Sequence, residues 1–432
     1  MKTKQALVPK LRFGEFESEW ARLPISELIE NGSIESHLDG NHGELYPRSE
    51  EFSDVGTPYI SANDFVVGEI DFNTCKKLPP KRAEKFKKGI SKNGDVLFAH
   101  NATVGPVTLL KTKLPYVILS TTATYFRCNT EKLHNSFLMF SLTANYFVRQ
   151  YVRVMSQSTR NQVPITMQRK FVLQLPALPE QEKIAGFLTS VDDRIDQLKR
   201  KKSLLQDYKK GVMQKLFSQE LRFKDDHGKT YPDWQVEKLG GVADGAKKWS
   251  FTGGPFGSNL KSEDYTDTGI RIIQLQNIGD GDFHNSYKIY TSEEKADELI
   301  SCNIYPEDII LSKMGDPVAR ACIIPDYQKR YVMCSDGIRL AIDKSKFHTY
   351  FIYSSINYRT FRNSAARVAT GSTRKRIGLT ELRELPLEIP SHPEQTKIAN
   401  FLSTLDQKIE QIDTQITQTQ TFKKALLQQM FV

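Results

Sequence analysis

The sequence predicts an α+β protein: two mixed α/β domains joined by two long helices that form an antiparallel coiled coil, with an internal pseudo-two-fold repeat. Three observations predict this. Residues 179–188, PEQEKIAGFL, return at 393–402 as PEQTKIANFL, an offset of 214. Each copy opens a run of apolar residues at alternating steps of four and three. Each is preceded by many short strand-like segments separated by turn residues. The expected organisation is a first domain over 1–178, a helix over 179–218, a second domain over 219–392 and a helix over 393–432.

The offset persists well beyond the ten-residue match. It pairs Asp192 with Asp406, Ile195 with Ile409, Lys209 and Lys210 with Lys423 and Lys424, and Phe217 with Phe431. Upstream, RVMSQSTR (153–160) matches RVATGSTR (367–374) at the same offset, and further upstream the match fades, with Gly94–Phe98 resembling Glu307–Leu311 one residue out of that register. Each half also opens with Leu-Arg-Phe, at 11–13 and 221–223, followed by Trp20 or Trp234. A period of this length is far too long for a solenoid. Either a domain was duplicated without symmetric use, or the chain is a pseudo-dimer with two related reading heads.

In the first helix the apolar steps fall on Ile184, Leu188, Val191, Ile195, Leu198, Leu205, Val212 and Leu216, interrupted by Lys202 and Lys209. In the second they fall on Ile398, Leu402, Leu405, Ile409, Ile412, Ile416, Leu426 and Met430, interrupted by Thr419 and Lys423. This is the spacing of a coiled-coil seam, and each copy is the natural partner of the other. Pro179 and Pro393 suit a first helical turn, and Glu180 and Glu394 suit its positive end. At 1.5 Å per residue each helix would run roughly 55–60 Å. The competing arrangement packs each helix on its own domain. The run Lys199–Lys202 reads first as a solvated face and second as a phosphate contact.

Within the domains, strands are expected at 57–64, 95–100, 117–126, 271–278, 308–313 and 337–343, and helices at about 134–150 and 348–363. Asp280-Gly281 and Gly68 suit hairpin turns. The polar residues of the loops are the candidate contacts. The matched loop before each last strand holds Ser158, Thr159, Arg160, Asn161 and Gln162 in one copy, and Ser372, Thr373, Arg374, Lys375 and Arg376 in the other. Hydroxyls, amides and cations in one short span suit phosphate positioning with base-edge contact. His100, Asn101, Lys313 and Arg320 follow the 95–100 and 308–313 strands. The Gly-rich loop 253–261 exposes Ser258, Asn259 and Lys261, and Gln274 and Asn277 end a strand. Amides of this kind pair with adenine, and cations with guanine. For any of these residues an ordinary solvated loop is the competing reading.

The composition sets limits on the partners. The formal charge of +9 over 432 residues favours a polyanionic partner without requiring one. Cys75, Cys128, Cys302, Cys322 and Cys334 are odd in number, scattered and without a CxxC pair, which implies reduced thiols. The start, Met1-Lys-Thr-Lys-Gln, leads into no apolar run, so no signal peptide and no membrane contact are expected, and the location expected is cytoplasmic.

The kit for catalysis is missing from the sequence. No GxxxxGK[ST] or GxGxxG loop occurs, and Leu78-Pro79-Pro80-Lys81 does not make an amino-methyltransferase motif. The eight histidines are scattered without metal-ligand spacing. Asp308…Lys313 resembles a nuclease site only loosely, since Asp308 begins an apolar strand.

Taken together, the paired PEQ-x-KIA-x-FL helices, the Leu-Arg-Phe…Trp entries and the Gly-Pro-Phe-Gly-Ser-Asn-Leu loop resemble the specificity subunits of Type I restriction–modification enzymes. The likeness covers essentially the whole chain. The first domain departs from it in lacking the Gly-Pro-Phe-Gly-Ser loop, which leaves contacts in 36–65 hard to place. The resemblance implies that each domain reads one half of a split sequence in double-stranded DNA. The helices would set the gap and dock two methyltransferase subunits, and two restriction–translocase subunits would join for cleavage. It also implies no catalysis and no cofactor in this chain, with S-adenosylmethionine, ATP and Mg held by partners. The alternatives are a coiled-coil scaffold or a DNA-binding regulator without such partners.

Overall fold

A computed structural model describes residues 7–40, 45–66, 69–157, 161–371 and 374–432. The chain divides into two compact units, residues 1–200 with 413–432, and residues 201–412. This differs from the expected boundaries. The long helices run Leu178–Phe217 and His392–Gln429, and each is divided between the units.

In the first unit, Ala21–Pro24 pairs antiparallel with Val172–Leu175 and brings the two ends of the globular part together. Between them lie two four-stranded sheets. One is antiparallel, in the order Ile34–Asp39, Ala123–Cys128, Val96–Asn101, Thr103–Leu109. The other has the order Lys76–Leu78, Thr57–Ile60, Val117–Leu119, Ile90–Ser91, and its central pair is parallel, with Ile118 opposite Tyr59. Strand Val96–Asn101 is buried along almost its whole length, which explains its unbroken apolar run.

The expected helix at 134–150 is two helices, Asn135–Thr143 and Asn145–Met155, because Ala144 adopts an extended conformation. The His134 ring caps the first by accepting the Phe137 amide.

The second unit repeats this plan. Its antiparallel sheet runs Phe251–Gly253, Gly337–Leu340, Ile309–Ser312, Ala321–Ile323. Its other sheet has five strands around the parallel pair Ile270–Ile273 and Tyr331–Met333. Gln235–Lys238 pairs with Pro386–Ile389. Helices Thr349–Asn357 and Arg359–Val368 again replace one expected helix, with His348 as the cap. The expected strands at 271–278 and 337–343 are shorter than the sequence implies, and Gln274–Asn277 turns instead of continuing. The turn at Asp280-Gly281 forms, with the Gly279 amide bonded to Asp282 O. Gly68 lies outside the described residues.

The two glutamates expected to serve the helix dipole do something stronger. Glu180 is 2% exposed and takes both Arg12 Nε and Arg12 Nη2 at 2.8 Å, with Trp20 Nε1 at 3.3 Å. Glu394 is fully buried and takes Arg222 Nη2 at 2.8 Å. The glutamines that follow are latches as well. Gln181 accepts the His134 amide and donates to Pro176 O, and Gln395 accepts the His348 amide and donates to Pro390 O. Leu-Arg-Phe and Pro-Glu-Gln are therefore two halves of one buried joint between the entry of each unit and its long helix.

The apolar seam is partly interhelical and partly domain core. In the first unit Ile184, Leu188, Val191 and Ile195 share a core with Trp20, Phe98, Phe137 and Phe147, and with Leu426, Met430 and Phe431 from the end of the second long helix. The two helical segments run in opposite directions there. Phe431 stacks edge-on against Trp20, which bonds Glu180, whereas Lys423 pairs with Asp192 further along. In the second unit Ile398 and Leu402 share a core with Leu216, Leu239, Phe351 and Leu387. Leu198, Leu405, Ile412 and Ile416 are buried, and Leu205 and Ile409 half-buried.

Two lysines that interrupt the seam are paired. Lys423 meets Asp192 in the first unit and Lys209 meets Asp406 in the second, each at 2.5 Å. Polar seam positions of this kind specify register. Exchange of both partners at one pair, Lys209→Asp with Asp406→Lys, is expected to retain folding. Lys209→Asp alone sets two carboxylates together and is expected to lower the melting temperature; a thermal scan of the two variants separates the outcomes.

Candidate nucleic-acid interface

The predicted contact loops of the second unit converge on one rim. Strand Ile309–Ser312 delivers Lys313 and Met314 to the edge of its sheet, where Met314 bridges Arg376. Gly315 N donates to Lys375 O at 3.1 Å, and Ile377 N donates to Lys313 O at 3.0 Å. The matched polar loop is thus fastened to the strand end. Between it and the Gly-rich loop lies Cys334–Gly337. Asp336 O accepts the Lys313 amide at 2.7 Å, and its carboxylate holds the Arg376 guanidinium. On the other side, Gly254 N donates to Gly337 O at 2.8 Å. A side chain at Gly254 would begin 1.7 Å from Cys334 O, so only glycine fits. Cys334 N in turn donates to Ile273 O at 2.9 Å, which places Gln274 beside the same segment.

On this rim Ser258, Asn259, Lys261, Arg374, Lys375 and Arg376 are exposed, and Lys313, Arg320 and Gln274 are half-buried. Arg320 Nε is buried and has no hydrogen-bond partner among the described residues. Ser372 and Thr373 lie outside the described residues. Asn277 is a correction. It is fully buried, its Oδ1 accepts the Gln274 amide, and its Nδ2 donates to His284 O and Tyr287 O. It shapes the turn and has no surface to offer.

The described residues of the first unit build a corresponding frame. Asn101 bridges Gln162, and the Ala102 amide donates to Asn161 O at 3.1 Å. Ser120–Thr122 fills the place of Cys334–Asp336, with Thr122 O accepting the His100 amide at 3.0 Å and the Ser120 amide bonded to Ile60 O at 2.7 Å. A side chain at Gly40 would begin 2.2 Å from Ser120 O. Gly40 is therefore the counterpart of Gly254 at the offset of 214, and residues 41–44 that follow it lie outside the described residues. Asn161 is exposed, Asn101, Thr121 and Gln162 are half-buried, and Ser158, Thr159 and Arg160 lie outside the described residues.

His100 is the second correction. It is 3% exposed, and its Nδ1 is bonded to Val163 O at 3.1 Å, so it joins the loop to the sheet from beneath. The central segments, 120–122 and 334–336, are not among the loops that the sequence singles out. The signal that could find them is the offset of 214, which aligns Thr121 with Ser335 and Thr122 with Asp336.

The rims differ in charge: the second is cationic around Arg374–Arg376, and the first presents amides and hydroxyls among its described residues. Groups that resembled chemistry are committed to structure. Asp308 is buried against Arg339 Nε at 2.7 Å, with burial raising its pKa, and Lys313 lies at the opposite end of the intervening strand. Burial also pushes the Cys334 thiol up to about 11, which makes it a packing group at neutral pH. Among the described residues no cluster of metal-ligating side chains occurs, and no helix is long and apolar enough to cross a membrane.

A family model for the Type I restriction modification DNA specificity domain matches the chain twice, over residues 24–206 and 231–419. Each match contains one rim and much of one long helix. A Methanocaldococcus jannaschii protein named as the MjaX specificity subunit of a type I restriction enzyme is 24% identical, with 98% of this chain and 95% of that protein covered. The MjaVIII specificity subunit of the same organism is 21% identical over 91% of this chain and 94% of its own length. Among solved structures, the specificity subunit from M. genitalium has a TM-score of 0.57, at 15% identity and 99% coverage of both chains. A chain from a type I R-M complex solved to describe its assembly and conformational transition has a TM-score of 0.54, at 17% identity, covering 96% of this chain and 97% of its own.

The twice-built α+β plan is shared over nearly the whole chain with the M. genitalium specificity subunit. The chain belongs to the Type I restriction modification DNA specificity family. Its role is DNA recognition as the specificity subunit of a type I restriction–modification system.

Proposed function

We propose that each unit reads one half of a bipartite DNA site, and that the paired long helices set the gap between the halves and dock two methyltransferase subunits. The observation that carries this reading is the duplicated frame: in each unit a strand end and a closely packed glycine, Gly40 or Gly254, meet a central segment, Ser120–Thr122 or Cys334–Asp336, with different side chains on each. A repeated frame with divergent contact residues suits two different half-sites, in the way that a dimeric reader matches its two-fold axis to the duplex. Phosphate contacts from Arg374, Lys375 and Lys313 would supply affinity. Amides and hydroxyls of Asn161, Gln162, Asn259 and Gln274 would supply discrimination, at about 1–3 kcal/mol per well-made base contact. The chain itself would be non-catalytic. S-adenosylmethionine, ATP and Mg would reside on the methyltransferase and restriction–translocase partners, and adenine would be the methylated base.

The test is selection from a random-sequence duplex library by the chain bound to its methyltransferase subunits. The expected product is two short motifs at one fixed separation; a single uninterrupted motif, or none, contradicts the reading. Within the selected duplex, Arg374→Ala or Arg160→Ala is expected to flatten the salt dependence of binding, by about one unit of slope for each phosphate that is no longer neutralised. Unchanged slope and affinity would remove that loop from the interface.

A further inference from the structure

We propose that Phe256 recognises the 5-methyl group of a thymine in the half-site read by the second unit. The inference rests on the bipartite reading and adds the chemistry of one base contact. Phe256 is 83% exposed, the most exposed large apolar side chain among the described residues. An aromatic ring held in water is costly unless something covers it. The backbone that carries it is held at two points. Gly254 lies against the Cys334 carbonyl where no side chain fits, Pro255 is buried, and Phe256 O accepts the Asn259 amide at 2.8 Å to close a tight turn. The ring is therefore presented by a braced loop, on the rim that also carries Ser258, Asn259 and Arg376.

The surroundings decide what can cover it. Ser258, Asn259 and Lys261 around it are exposed and polar or cationic, which suits a nucleic-acid groove better than an apolar protein face. On the major-groove edges of the four base pairs, the apolar feature is the thymine methyl, and a phenylalanine is one of the side chains that reads it. Insertion between base pairs is the competing use of an exposed aromatic. It favours proteins that wedge open the minor groove, whereas this ring shares its loop with side chains suited to reading base edges.

The experiment uses the chain bound to its methyltransferase subunits and the duplex that this complex selects from a random library. Each thymine in both half-sites is replaced in turn by deoxyuridine, which removes only the methyl group. Loss of one buried methyl is expected to weaken binding about fourfold at one position. Phe256→Ala is expected to weaken binding to the thymine duplex and to abolish the thymine–uracil difference at that position alone. Phe256→Leu, which keeps an apolar group, is expected to retain part of it. Unchanged melting temperatures show that the variants still fold. A scan insensitive at every thymine, or sensitivity that survives Phe256→Ala, overturns the assignment. Weakened binding by Phe256→Ala with an insensitive scan overturns it in favour of insertion. Failure to select any two-part duplex falls on the bipartite reading and takes this inference with it; the other failures fall on this inference alone.

Discussion

Insertion of four residues into both long helices, between Leu198 and Lys202 and between Ile412 and Ile416, is expected to widen the gap between the two half-sites and leave each half-site unchanged. The two positions are equivalent under the offset of 214. Four residues add about 6 Å of helix, against a base-pair rise of about 3.4 Å, so the gap should grow by one or two base pairs. Four is also a step already present in the seam, so the insertion is a stutter and the apolar stripe continues. The same insertion in one helix alone puts its partner out of register and is expected to weaken all selection. An unchanged gap in the double insertion would show that the helices do not set the spacing.

The second large effect concerns the buried joints. Arg222→Met leaves the Glu394 carboxylate buried without its cation and is expected to cost about 3–5 kcal/mol. For a unit of this size that corresponds to a melting temperature lower by roughly 6–20 °C. Arg12→Met should cost less, because Glu180 keeps a hydrogen bond from Trp20 Nε1, whereas Trp234 Nε1 has no partner among the described residues. Differential scanning calorimetry of the two variants checks both the size and the order. Equal, small losses would mean that the joints are dispensable.

Much of this architecture is legible in the sequence because duplication leaves a trace at every level. The offset of 214 alone locates both long helices, the matched polar loops and the tryptophan near the start of each unit, while the Leu-Arg-Phe entries recur four residues out of that register. It does not separate two uses of the same spacing. A four-three apolar stripe is produced equally by a helix partner and by a domain core, and here Ile184 and Leu188 serve both. Glu180 and Glu394 look like helix-end charges in sequence, since nothing local shows that an arginine far away along the chain reaches them.

The candidate contacts are legible as loops but not residue by residue. His100 and Asn277 have the same polar character as Asn101 and Gln274, yet each faces inward to bond a backbone carbonyl. Ser120–Thr122 and Cys334–Asp336 do not stand out, because a short polar interruption between two strands is ordinary in sequence. Their importance comes from the glycine packed against each, and that proximity is tertiary.

The most direct test of the central claim exchanges one globular part for the other. The sheet pairs Ala21–Pro24 with Val172–Leu175, and Gln235–Lys238 with Pro386–Ile389, mark equivalent joints. A chain in which residues 235–389 also replace residues 21–175 would carry the second rim twice on its own two helices. Sequencing of the duplexes selected by this chain with its methyltransferase subunits is expected to give an inverted repeat of the second half-site at the original gap. Selection of the original asymmetric site, or of one uninterrupted motif, would contradict the account.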